Sequence, residues 1–129
     1  MASFGHPPAA PMHLDTFRDH ALALPGVTED LPFGPGPLVF RVGGKIFALL
    51  SLDAPEPSVN LKCDPERAVE LRETYDGVRP GYHMNKRHWN TVDLRGDVPG
   101  DVLRELADHA YALVRAGLPK AAREALRPA

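Results

Sequence analysis

The chain has 129 residues, of which 43% are hydrophobic and 25% charged, the size and balance of one globular domain; this excludes a fibre, a disordered segment and a mini-protein held by metal or disulfides. A single cysteine excludes an internal disulfide, and 15 Lys and Arg against 17 Asp and Glu give a formal charge of −2, so any site for a polyanion has to come from local patterning. No apolar run approaches the roughly 18 residues of a membrane span, and residues 1–12 lack the charged-then-apolar order of a signal peptide; the expected location is the cytoplasm, with no membrane partner.

In chain order, residues 1–11, with Pro7, Pro8 and Pro11, predict a flexible tail ahead of one domain over 12–118. Leu14, Phe17, Ala21 and Leu24 recur at helical spacing until Pro25-Gly26 stops them. Residues 27–31 predict a short strand and 32–37 a loop. Strands over 38–42 and 45–52 flank Gly43-Gly44, a pair suited to the positive φ values of a two-residue hairpin. After a second loop at 53–57, Val59, Leu61 and Cys63 alternate with Asn60 and Lys62 as a half-buried strand does. Asp64-Pro65-Glu66 has the order of an N-cap, a first-turn proline and an early acid, opening a helix to about residue 75. Residues 77–84 are rich in turn formers, 89–94 predict a strand, and Val102, Leu103, Leu106, Ala110, Leu113 and Val114 give the stripe of a long final helix. A short helix or tail is expected over 119–129.

Central strands with helices at both ends and one between predict an α+β fold, an antiparallel sheet with helices packed on one face. If Leu38, Phe40, Val42, Val59, Leu61 and Val92 face the helices, alternation puts Arg41, Asn60, Lys62, Trp89 and Thr91 on the other face, expected to meet water.

The chemistry concentrates in residues 79–90, RPGYHMNKRHWN. Residues 77–92 carry Arg79, Lys86 and Arg87 and no acid, whereas residues 1–64 carry 4 basic and 7 acidic groups. Cations neutralise phosphates with release of counterions, amides and imidazoles hydrogen-bond, and Tyr82 or Trp89 offers a ring on which a base stacks. The bland reading is a solvated turn whose two rings seal the sheet edge. His83 and His88 stand five apart with no zinc-site spacing around them, so no metal is expected. Alternation places Cys63 inward, a packed thiol rather than a nucleophile. Gly43-Gly44-Lys45 lacks the Ser or Thr of a phosphate loop, having Ile46 there and Val39 at the earlier glycine position. Ser51 sits in no nucleophile elbow, Asp108, His109 and Tyr111 fit a polar helix face, and no catalytic carboxylate pair is present. No catalytic residue and no cofactor is assigned.

The stretch over 80–92 resembles the hallmark of the MmcQ/YjbR family, and Leu24-Pro25-Gly26-Val27, Val42-Gly43-Gly44-Lys45 with Phe47-Ala48-Leu49-Leu50, and Asn60-Leu61-Lys62-Cys63 agree with it in order and spacing. The resemblance covers about residues 14–118 and implies a CyaY-like, that is frataxin-like, fold whose hairpins form a double wing proposed to hold DNA. The wing candidates are Gly43-Gly44-Lys45 and the turn over 84–87, with Lys62 and Arg79 nearby. The frataxin comparison also raises iron, held there by an acidic ridge on the first helix; here Asp15 and Asp19 are matched by Arg18 and His20, so iron is not expected. The resulting expectation is a non-enzymatic domain that binds DNA or another nucleic acid through Lys45, Lys62, Arg79, Tyr82, His83, Asn85, Lys86, Arg87, His88 and Trp89. Two alternatives use the same segment: a small carboxylate or phosphate held by Arg79, His83, Lys86 and His88, as in an unrecognised enzyme, and a surface for a protein partner.

Overall fold

The computed structural model describes residues 13–31, 36–51, 57–81 and 84–126. The expected N-terminal tail and most of the two expected loops lie outside them.

Gly43 and Gly44 adopt φ values of 58° and 81°, which suit a tight reversal between twisted strands. They join β2 (Leu38–Val42) to β3 (Lys45–Ser51). Before them come α1 (Leu14–Leu22) and β1 (Val27–Asp30); after them β4 (Ser58–Lys62), α2 (Pro65–Thr74), β5 (Val78–Pro80), β6 (Trp89–Asp93), α3 (Gly100–Ala116) and α4 (Lys120–Glu124). The strands form one antiparallel sheet in the order β1-β2-β3-β4-β6-β5. The α+β expectation holds, with one strand more than the sequence indicated: β5 falls in the expected turn region.

The helices cover one face. Phe17 and Ala21 of α1, Ala68 and Leu71 of α2 and Leu103, Leu106, Ala107, Ala110, Tyr111 and Val114 of α3 share one core with Leu38, Phe40, Val42, Leu50, Val59, Leu61 and Val92 of the sheet. Rings link its layers: Phe17 meets Phe40 edge-on at 5.9 Å, and Phe47 meets Tyr111 edge-on at 5.7 Å. The register slips between Phe40 and Arg41, where Phe40 faces Ala48 and Arg41 faces Ile46. That bulge leaves Phe47 unpaired, so Phe47 and Ala48 both enter the core and Ile46 turns to the far face.

The helix after β4 starts as its sequence directs: Pro65 occupies the first turn, and the Asp64 carboxylate accepts from the Arg67 N–H at 3.2 Å. The Asp97 carboxylate accepts from Gly77 N–H at 2.7 Å and Asp76 N–H at 2.8 Å, closing the turn from α2 into β5. Those bonds, Gly77's first, hold the Asp97 carboxyl below its ordinary range. The segment after α3 packs as part of the same unit: Leu118 is buried over Gly43, and Ala122 and Leu126 pack on the core, Leu126 against Gly26.

Candidate nucleic-acid interface

On the far face the register sets the side chains in rows. Asp30, Val39, Leu49, Asn60, Thr91 and Arg79 lie across the sheet from one edge to the other, and Lys62 pairs with Trp89 one row along. This face is not simply wet. Val39, Leu49 and Trp89 form a second apolar cluster, with Ile46 and Met84 packed against it. Trp89 is 8% exposed, so the open indole expected from alternation is a packed one: alternation assigns a face, but the bulky residues on that face shield each other. Gly81 permits the close approach, since a Cβ there would stand 2.7 Å from that of Trp89.

The cations on and around this face divide into two groups. Arg79 donates to both oxygens of Asp93, at 3.0 and 2.9 Å, and Arg41 lies 3.7 Å from Asp30; both are partly neutralised by strand neighbours. Lys62 stands 6.0 Å above the Trp89 ring, at the edge of cation–π range, so the indole serves to hold an ammonium at the surface. Lys45, which starts β3 opposite Val42 and so stands on the helix side of the sheet, and Lys86 and Arg87, in the turn entering β6, are exposed and have no ion-pair partner among the described residues. β3 starts, β4 ends and β6 starts at the same end of the sheet, so Lys45, Lys62, Lys86 and Arg87 all lie toward that end, Lys62 on the far face and Lys45 on the helix side.

The 84–88 turn is built, not loose. The Asn85 side-chain oxygen accepts from Arg87 N–H at 2.9 Å and its carbonyl accepts from His88 N–H at 3.2 Å. Asn85 therefore shapes the turn, as Asx side chains do. The His88 carbonyl accepts from Cys63 N–H at 2.8 Å, tying the turn to the end of β4. Arg72 of α2 donates to the Ala68 and Lys86 carbonyls at 3.1 and 3.4 Å, and Asn90 donates to the same Ala68 carbonyl at 3.2 Å. Arg72 escaped the sequence reading because nothing in the periodicity of α2 shows that its face meets this turn. Between them, Pro65, Glu66, Val69, Arg72 and Arg87 line a groove of about 430 Å³.

Tyr82 and His83 lie outside the described residues. Only part of the anion site expected from Arg79, His83, Lys86 and His88 is therefore described: Arg79 is paired with Asp93, Lys86 is exposed and His88 is half-buried. Cys63 is buried, and that burial pushes its thiol up to about 11, the state of a packed cysteine. Among the described residues no group of three His, Cys, Asp or Glu side chains is placed to hold a metal ion, and no helix is long and apolar enough to cross a membrane.

The YjbR family model matches residues 22–113. The chain belongs to the YjbR family. It is 40% identical over 114 residues to the uncharacterized protein YbdF of Escherichia coli O157:H7, spanning 88% of this chain and 93% of that one. Against the uncharacterized protein YjbR of Escherichia coli K12 the identity is 31% over 115 residues, 89% and 98% of the two chains. Among solved structures, the crystal structure of the Deinococcus radiodurans protein DR2400, of domain family DUF419, superposes with a TM-score of 0.82 at 38% identity, covering 94% of this chain and 90% of that one. A Pseudomonas syringae protein superposes with a TM-score of 0.70 at 31% identity, covering 79% and 98%. The YjbR fold thus carries the α+β sheet and its helix layer.

Proposed function

We propose that this YjbR domain is a non-enzymatic binding module that takes nucleic acid at the cationic end of its sheet. The supporting observation is that Lys45, Lys62, Lys86 and Arg87, from three separate segments, lie toward one end of the sheet, with Lys45, Lys86 and Arg87 free of carboxylates within ion-pair distance among the described residues. Such cations bind phosphates mainly through counterion release, which requires that they not already be neutralised. The β2–β3 hairpin and the 84–88 turn supply the two wings of the double-wing reading, with Lys62 between them on its indole support. Arg79 and Trp89 leave the list of direct contacts, the first because Asp93 holds it and the second because it is packed. A nucleic-acid partner and a single packed thiol both fit a cytoplasmic location.

The test is anisotropy of a labelled oligonucleotide over a series of salt concentrations from about 20 to 200 mM KCl, where phosphate contacts make log K fall linearly with log[salt]. Lys86→Ala and Arg87→Ala are expected to reduce the slope by about 1 each, and Arg79→Ala to leave it near wild type. Absence of binding at the lowest salt, or equal slopes for all three variants, overturns the reading.

A further inference from the structure

We propose that the groove between α2 and the 84–88 turn receives one unstacked base, making the ligand class single-stranded rather than duplex nucleic acid. This rests on the reading above and concerns what lies beside the phosphate contacts. A base needs a flat, largely apolar bed and polar groups at its edge. Trp89, the ring that composition offered, is 8% exposed and cannot supply the bed. The groove can. Pro65 and Val69 are among its lining, and Val69, at 49% exposed, is one of two large apolar side chains left exposed among the described residues.

The walls suit a planar ring with an adjoining phosphate. Arg72 is held by the Ala68 and Lys86 carbonyls, so its guanidinium plane is already oriented and little ordering remains to be lost on binding. Guanidinium planes stack on bases. Arg87 lines the same groove with no ion-pair partner among the described residues, and Lys86 is its chain neighbour. Glu66, which also lines the groove, repels a phosphate and accepts from an exocyclic amine, which sets the polarity: the ring over Val69, its phosphate toward Arg87 and Lys86. Bases inside a duplex are stacked away and cannot enter; those of a single strand can.

The experiment measures binding of a labelled deoxycytidine strand of about 12 nucleotides and a duplex of equal length at about 50 mM KCl, a length within the range single-strand binding domains occupy. Wild type is expected to favour the strand by about 10-fold, and Val69→Ser, at an exposed position, to lower strand affinity about 3- to 10-fold with the salt slope and duplex affinity unchanged. Arg72→Lys, which keeps the charge and removes the plane, is expected to do the same, its folding checked by thermal melt. A duplex bound as well as the strand, or unchanged strand affinity in Val69→Ser while Lys86→Ala still lowers the slope, overturns the base pocket and leaves the phosphate reading standing. No binding of either ligand at about 20 mM KCl overturns both.

Discussion

Replacing Trp89 by alanine separates a packed indole from a displayed one. With 8% of the residue exposed, nearly all of a side chain of about 200 Å² is out of water, and at about 25 cal/mol per Å² its burial stabilises by about 5 kcal/mol as an upper bound. Met84 and Ile46 are only partly buried beside it and can close part of the space, so the expected loss is about 3 kcal/mol, the low end for truncating a large aromatic. Urea unfolding followed by far-UV circular dichroism reads the loss directly, and Trp89→Phe should retain most of the stability. As the only tryptophan in the chain, Trp89 should also resist iodide quenching in the native state. A loss in Trp89→Ala below about 1 kcal/mol, the range of surface substitutions, would refute the packing argument.

The hairpin turn discriminates conformational strain from contact: at Gly44 a Cβ meets open space, whereas at Gly43 it would stand 2.5 Å from Leu118. Gly44→Ala is expected to cost about 1 kcal/mol from the left-handed φ alone, and Gly43→Ala about 2 to 3 because Leu118 must also move, both by urea denaturation. His109 accepts from Asp64 N–H at 3.2 Å and must be neutral to do so; burial first, then Arg67, holds its imidazole below its ordinary value of 6.5, against the opposing pull of Asp64 and Glu105. Because the unfolded chain binds that proton more readily, the contribution of His109 is complete above about pH 6.5 and is lost as pH falls through the depressed folded value. Chemical denaturation at stepped pH should show that loss in wild type and not in His109→Gln. With its thiol pushed up to about 11, Cys63 is about one part in a thousand thiolate at pH 8, so native alkylation should be at least 100-fold slower than after unfolding.

The elements that could be read from the sequence are those whose signal is local. The Gly43-Gly44 turn needs two adjacent residues tolerant of positive φ, the start of α2 needs Asp64 and Pro65, and the face of α3 is written in its stripe. Strand β5 spans Val78–Pro80, too few residues to show a period, and its proline sits on an edge strand, where a missing N–H costs no ladder bond. The bulge that sends Phe47 and Ala48 together into the core breaks the alternation that sequence reading assumes. Neutralisation of Arg79 by Asp93 depends on the β5–β6 register, which follows from the undetected strand. The placement of Lys45, Lys62, Lys86 and Arg87 at one end of the sheet likewise follows only from strand order.

Backbone amide shifts of uniformly ¹⁵N-labelled protein, titrated with a single-stranded oligonucleotide at low salt, test the central claim at residue level. Perturbations centred on Lys45, Lys62 and the 84–88 turn, with the exposed surfaces of α1 and α3 unchanged, are the predicted result. No shifts at saturating strand concentration, or shifts confined to α1 and α3, would contradict it.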